Sequence, residues 1–143
     1  MPDLRVRALQ CLARREHSRA ELQAKLAPHA ESAEELEEVL NTLQGEHFLS
    51  DQRFATQRIS ARAGRYGNTR LKHELQRTGV SEDEIAAALP EAGDETERCR
   101  AVWAKKFGAL PTSAEERGKQ MRFLQYRGFS GESIRRVLRG VDE

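Results

Sequence analysis

The 143-residue sequence is poor in residues that staple or span: it has two cysteines, four prolines and one tryptophan, and aromatic residues make up 6% of it. Cys11 and Cys99 lie far apart and form no Cys-x-x-Cys pair, which argues against a disulfide framework or a metal knuckle. Buried reduced thiols are the expectation. No apolar run approaches the roughly 20 residues that a membrane helix needs, and Met1-Pro2-Asp3-Leu4-Arg5 has no signal-peptide apolar region. A cytoplasmic protein without membrane contact is therefore expected.

The chemistry of an enzyme is lacking too. Gly64-Arg65-Tyr66-Gly67 has neither the spacing nor the Lys-Ser/Thr of a phosphate-cradling loop. His17, His29, His47 and His73 form no His-Glu-x-x-His motif and no His/Cys cluster, so surface or cap positions are expected for them and no metal. The acidic clusters Glu34-Glu35-x-Glu37-Glu38 and Glu82-Asp83-Glu84 fall in the first turns of predicted helices, where the helix dipole favours negative charge. No catalytic residue and no cofactor is expected, and the chain is read as a non-enzyme.

Charge is what the sequence has in plenty, at 33% of residues. The net charge of +1 hides an alternation: −3 over residues 1–50, +5 over 51–80, −7 over 81–97 and +6 over 98–143. Such blocks set up local potentials that can orient the protein on a polyanionic or charge-patterned partner.

A second abundance is internal similarity. Leu22, Leu26, Ala30, Ser32, Leu36 and Leu40 recur 49 residues later as Leu71, Leu75, Gly79, Ser81, Ile85 and Leu89, and again as Gln120, Leu124, Gly128, Ser130, Ile134 and Leu138. Phe54 likewise falls 49 residues before Trp103. Apolar residues four apart form a helix face, a small residue then ends the helix, and a serine opens the next. Gly79 and Gly128 sit where a left-handed residue is needed; Ala30 does not fit, and Pro28 ends its helix near Ala27. Ser18-x-x-Glu21, Ser32-x-x-Glu35, Ser81-x-x-Glu84 and Ser113-x-x-Glu116 all fit the capping box.

Further helical segments at Leu4–Glu16, Asp51–Ala63 and Glu95–Phe107 make three helices per unit. No segment has the alternation of a strand. The expected fold is all-α: three tandem three-helix, helix-turn-helix-like repeats over residues 1–49, 50–93 and 94–143, elongated because thin units must share interfaces. Trp103 and Phe107, four apart, are read as a core stripe rather than a base-stacking platform.

Basic residues on the predicted second helices mark the candidate partner-binding set. They are Arg70, Lys72 and Arg77 in the second repeat and Arg117, Lys119, Arg122 and Arg127 in the third. Arg62 and Arg65 precede the first group, and Arg135, Arg136 and Arg139 lie on the last helix. Such faces can contact phosphates in a salt-dependent way, yet the last helices of repeats one and two are acidic, which speaks against base readout by every repeat.

Specific strings carry a family resemblance. Phe48-Leu49-Ser50-Asp51-x-Arg53-Phe54-Ala55, Arg62 and Tyr66-Gly67-x-x-Arg70-Leu71-x-x-Glu74-Leu75-x-x-x-Gly79-Val80 resemble the central signature of RecX proteins. Lys106-Phe107-Gly108 and Arg122-Phe123-Leu124-x-x-Arg127-Gly128-Phe129-Ser130 resemble the C-terminal one, and the run from Ala8-Leu9 to Lys25-Leu26 is similar to the family's opening. Arg58 stands where the family often has an aromatic, and the turn at Pro28–Ala30 is short. The resemblance implies a monomeric regulator that lodges in the groove of the RecA filament on single-stranded DNA. It would inhibit strand exchange, ATP hydrolysis and coprotease activity. A basic helical module acting mainly on DNA is the alternative.

Overall fold

A computed structural model describes residues 3–139. Among the described residues there is no strand, and the helices follow one another as three triplets. The first is α1 (Leu4–Arg14), α2 (Arg19–Leu26) and α3 (Ala33–Gly45). The second is α4 (Asp51–Arg62), α5 (Asn68–Arg77) and α6 (Glu82–Ala88), and the third α7 (Glu95–Lys106), α8 (Ala114–Tyr126) and α9 (Gly131–Arg139). The all-α repeat architecture expected from the 49-residue register is what the chain adopts.

Local chemistry explains where these helices begin and end. Ser18, Ser32, Ser81 and Ser113 each accept a hydrogen bond from the backbone N–H three residues on, satisfying an amide that the helix leaves unpaired. Ser18 and Glu21 close the reciprocal box. Glu35 and Glu116 instead accept from the residue before the cap, Glu31 N–H and Thr112 N–H, both at 2.8 Å. The sequence pattern thus locates the caps correctly while overstating how alike they are.

At the second turns, Gly79 (φ +86°) and Gly128 (φ +89°) are left-handed, and Ala30 is extended (φ −83°, ψ 142°) after a 3-10 turn, Ala27–His29, containing Pro28. His47, with φ +67°, takes the left-handed place after α3, which its spacing does not announce.

The register holds best for the second and third helices. Leu26, Leu75 and Leu124 are all at most 1% exposed, and Leu22, Leu71 and Gln120 are all buried. It fails for the first helices: α7 starts 44 residues after α4, so Trp103 is half-buried while Phe54 is buried. Trp103 packs at the margin of a core formed by Cys99, Leu124, Phe129, Ile134, Val137 and Leu138. Its indole N–H donates to Gln120 Oε1 (2.8 Å), and Gln120 Nε2 donates to Ala109 C=O (3.1 Å). A glutamine can occupy a leucine position because both of its polar ends are satisfied.

The chain forms two compact units, Met1–Gln57 with Leu75–Ala88 and Arg58–Glu74 with Leu89–Glu143, so α4 and α5 each contribute to both. In the first unit, leucines 4, 22, 26, 36, 40, 43 and 49 gather with Ala8. Each such burial stabilises by roughly 1.5–3 kcal/mol relative to exposure.

Two expectations are corrected within this unit. His17 is 1% exposed rather than on the surface, although it does serve a cap: its Nδ1–H donates to the carbonyl of Arg15, the residue that ends α1. Cys11 is only half-buried rather than buried. In the second unit Cys99 is buried as expected, and burial pushes its thiol pKa up to about 12.

Each unit contains one joint in which a triplet docks on the next. In the first unit, Ser18 Oγ donates to Thr78 C=O (2.6 Å), and Arg19 N–H donates to Asp51 (2.7 Å). In the second, Gly67 N–H donates to Arg127 C=O (2.9 Å), and Asn68 N–H donates to Glu95 (2.8 Å). Ser18 and Gly67 stand 49 apart in sequence, as do Thr78 and Arg127. Asp51 and Glu95 are both the opening residues of a triplet's first helix.

Candidate functional site: an arginine cluster around Tyr66

The second joint positions the candidate site. Gly67 has no room for a side chain: a Cβ there would lie 2.3 Å from the Gly128 carbonyl oxygen. This contact lets Thr69 N–H donate to Gly128 C=O at 3.2 Å and brings the α4–α5 turn against the α8–α9 turn.

Arg98, on α7, fixes the same turn by donating to the carbonyls of Ala63 (2.9 Å) and Tyr66 (3.1 Å) and to Asn68 Oδ1 (2.9 Å). Glu95 accepts from Asn68 N–H, Ser130 Oγ (2.7 Å) and Ser133 Oγ (3.0 Å). Burial alone would raise the pKa of Glu95, but these donors outweigh it and hold the carboxyl below its usual value.

With the backbone so held, four guanidinium groups surround one ring. Arg70 lies 4.2 Å from the Tyr66 centroid, Arg62 4.6 Å, and Arg65 and Arg127 5.6 Å each. Arg62–Tyr66–Arg70 is an i, i+4, i+8 series, and Arg127 arrives from the end of α8. A cation over an aromatic face gains about 0.5–1 kcal/mol at exposed sites, so the ring offsets part of the repulsion among like charges.

Glu74 offsets more. It takes two hydrogen bonds from Arg62 (2.6 and 2.8 Å) and a longer one from Arg70 (3.4 Å). Burial opposes its ionisation, but Arg62 and then Arg70 overcome that and depress its pKa. The four arginines and this one carboxylate leave the cluster cationic.

Beside the cluster opens a cleft of about 490 Å³, lined by Arg65, Lys105, Lys106 and Arg127 with Phe123, Val102, Ala101 and Gly64. Phe123 forms its aromatic wall: Arg127 lies 5.1 Å and Lys106 5.4 Å from the ring centroid, and Phe107 meets it edge-on at 5.5 Å. Cations around an aromatic floor suit carboxylates or phosphates carried on a planar or apolar group. Among the described residues no group of three His, Cys, Asp or Glu could hold a metal ion. No described helix is long and apolar enough to cross a membrane.

The sequence-designated residues therefore divide. Arg62, Arg65, Arg70 and Arg127 converge on Tyr66. Lys72, Arg77, Arg117, Lys119, Arg122, Arg135, Arg136 and Arg139 are exposed on α5, α8 and α9, and Arg136 pairs with Glu132 at 2.9 Å. Arg70 and Arg127 are not the freely solvated side chains that a helix-face reading implied: both are half-buried and folded onto aromatic rings. Sequence reasoning missed Tyr66 as the organising ring, Glu74 as its counter-ion and Lys105 and Lys106 as cleft walls. The i, i+4 spacing of Arg70 and Glu74 on α5 was the available signal.

Two family models match the chain: "RecX, second three-helix domain" over residues 50–89 and "RecX, third three-helix domain" over residues 93–138. A regulatory protein RecX of Ralstonia pickettii is 47% identical over 143 aligned positions, covering 98% of this chain and 89% of the relative. One of Neisseria gonorrhoeae is 41% identical, covering 95% and 89%. The crystal structure of RecX from Lactobacillus salivarius is similar in fold, with a TM-score of 0.84 at 19% identity over 96% of this chain and 93% of that one.

Proposed function

The chain belongs to the RecX family, and from that premise we propose that it is a non-enzymatic regulator that binds the RecA filament on single-stranded DNA. Acting as a cytoplasmic monomer in the filament's helical groove, it inhibits strand exchange, ATP hydrolysis and coprotease activity. The observation that carries this reading is the cationic cluster on Tyr66 with its adjoining cleft. Fixed, closely spaced guanidinium groups suit recognition of acidic side chains or backbone phosphates on a charge-patterned polymer. The exposed arginines of α8 and α9 supply further long-range attraction.

Titration into pre-formed filaments, following ATP hydrolysis and filament length together, tests the proposal. The variant Arg65→Glu/Lys105→Glu/Lys106→Glu changes three exposed side chains, so its melting temperature should match the parent's. Its half-inhibitory concentration should rise about tenfold or more, since each lost charged contact costs on the order of 1 kcal/mol. Unchanged inhibition by this folded variant would remove the cluster from the interface. If the parent binds bare single strands as tightly as it binds filaments, with a steep salt dependence, the protein acts mainly on DNA.

A further inference from the structure

The first unit holds a second basic cleft, of about 460 Å³, that no part of the preceding reading uses. Arg7, Gln10, Cys11 and Arg14 line it from α1, and their spacing of three, four and seven places them on one helix face. Lys25 and Leu26 face it from α2, joined by Arg15, His17 and His29. No carboxylate among the described residues lines it. Glu21 lies nearby but is engaged by Arg15 at 3.1 Å, whereas Arg7 and Arg14 have no ion-pair partner among the described residues.

Lys25 is held in place by His17. The buried imidazole donates Nδ1–H to the Arg15 carbonyl (3.0 Å), which leaves the Nε2 lone pair to accept from the Lys25 ammonium at 2.9 Å. Burial, with Arg15 and Lys25 adding to it, lowers the His17 pKa and keeps the ring neutral, as that acceptor role requires. A neutral histidine orienting a lysine at the mouth of a cleft in which Arg7 and Arg14 have no counter-ion among the described residues is an arrangement that an anion would complete.

We propose that this cleft binds the phosphodiester backbone of a single nucleic-acid strand, with Arg7, Arg14 and Lys25 as the phosphate contacts. Arginine forks and a fixed ammonium match phosphate oxygens. Among the described residues the lining contains no Phe, Tyr or Trp, and the three contacts are to phosphate, which carries no base information, so binding is independent of base sequence. The residues 1–50 block has net charge −3, which conceals the site from a reading of charge by segment.

Cys11 reports occupancy. It lines the cleft and is half-buried, while Cys99 is fully buried, so alkylation of the native full-length chain by a small thiol reagent is read at Cys11. An oligothymidylate of about twelve nucleotides, within the usual span of single-strand sites, should slow Cys11 alkylation at low salt. Deca-glutamate at equal charge should not.

In fluorescence anisotropy, Arg7→Gln/Arg14→Gln should weaken oligothymidylate binding about tenfold and reduce the salt slope by about 1.4, two contacts at roughly 0.7 each. Neither side chain makes an ion pair among the described residues, so the variant should melt with the parent. No protection of Cys11 by the oligonucleotide, or equal protection by deca-glutamate, overturns the proposal. So does a folded double variant with unchanged affinity and salt slope. No filament is present in these measurements, so their outcome is separate from that of the filament titration.

Discussion

The two joints are built on one plan with different chemistry. In both, the turn between a triplet's first and second helices docks on the turn between the next triplet's second and third. In both, a carboxylate that opens the next triplet caps the docked helix: Asp51 for Arg19 N–H, and Glu95 for Asn68 N–H. An arginine in the first turn of the helix that the carboxylate opens reaches back in both: Arg53 on α4 to the carbonyls of His47 and Phe48 and to Glu16, and Arg98 on α7 to those of Ala63 and Tyr66.

The joints differ at their centre. The first uses a side chain, Ser18 Oγ, to reach Thr78 C=O, and the second uses the backbone N–H of Gly67 to reach Arg127 C=O. Losing the side chain brings the turns close enough for Arg127 to lie beside Tyr66, so the closer joint is the one that builds the arginine cluster. A repeat preserves the hydrogen-bonding task and leaves free the choice of group that performs it.

The comparison is sharpened first by the cores, where the two units should behave alike. Leu26→Ala and Leu124→Ala should each lose about 2–5 kcal/mol in urea unfolding, the range for large-to-small core changes. A loss below about 1 kcal/mol at either position would contradict its burial.

The second joint should not tolerate being made like the first. Gly67→Ser gives the second joint the residue of the first, yet its Cβ would meet Gly128 backbone, and a loss of about 1–3 kcal/mol is expected. An unchanged melting temperature would show that the close approach is not required.

Gln120→Leu restores the leucine of the other two repeats but leaves Trp103 N–H and Ala109 C=O without their partner, at a cost of about 1–3 kcal/mol. Adding Trp103→Phe should recover part of that loss. If it recovers none, the indole hydrogen bond is not what the glutamine serves.

The smallest effect is in pH dependence, where the units separate. His17 in the first unit has a folded-state pKa below its usual 6.5, so the unfolded chain takes up the proton first. Its contribution is whole above 6.5 and is lost as pH falls from there through the folded value. Depressed carboxylates occur in both units, Glu21 in the first and Glu74 and Glu95 in the second, and their contribution is lost only as pH falls beneath 4.5, so His17 is what sets the first unit apart. Melting temperatures taken as pH falls from above 6.5 to just above 4.5 should decline in the parent and less in His17→Asn. Parallel curves would detach His17 from the effect.

Much of the fold was legible in advance. The period of 49, the four capping serines, the positive φ of Gly79 and Gly128 and the break at Pro28 all act within a turn or two of chain, where sequence and conformation are directly coupled. The site was half legible. Arg62, Arg65, Arg70 and Arg127 were marked as basic, but their convergence on Tyr66 depends on two turns more than 50 residues apart meeting at Gly67 and Gly128. Similarly, the equivalence assumed for Phe54 and Trp103 failed because the first helices of the second and third triplets start 44 residues apart.

By itself the sequence determined the helices, their caps and the buried stripe shared by the repeats. These follow from the 3.6-residue helical period and from local hydrogen-bond needs, neither of which requires a distant partner. Tertiary structure alone decided which charges are solvated and which are gathered. A guanidinium's surroundings depend on which backbone approaches it, and that approach is set by a missing Cβ at Gly67 and by the carboxylate of Glu95, not by any property of the arginine.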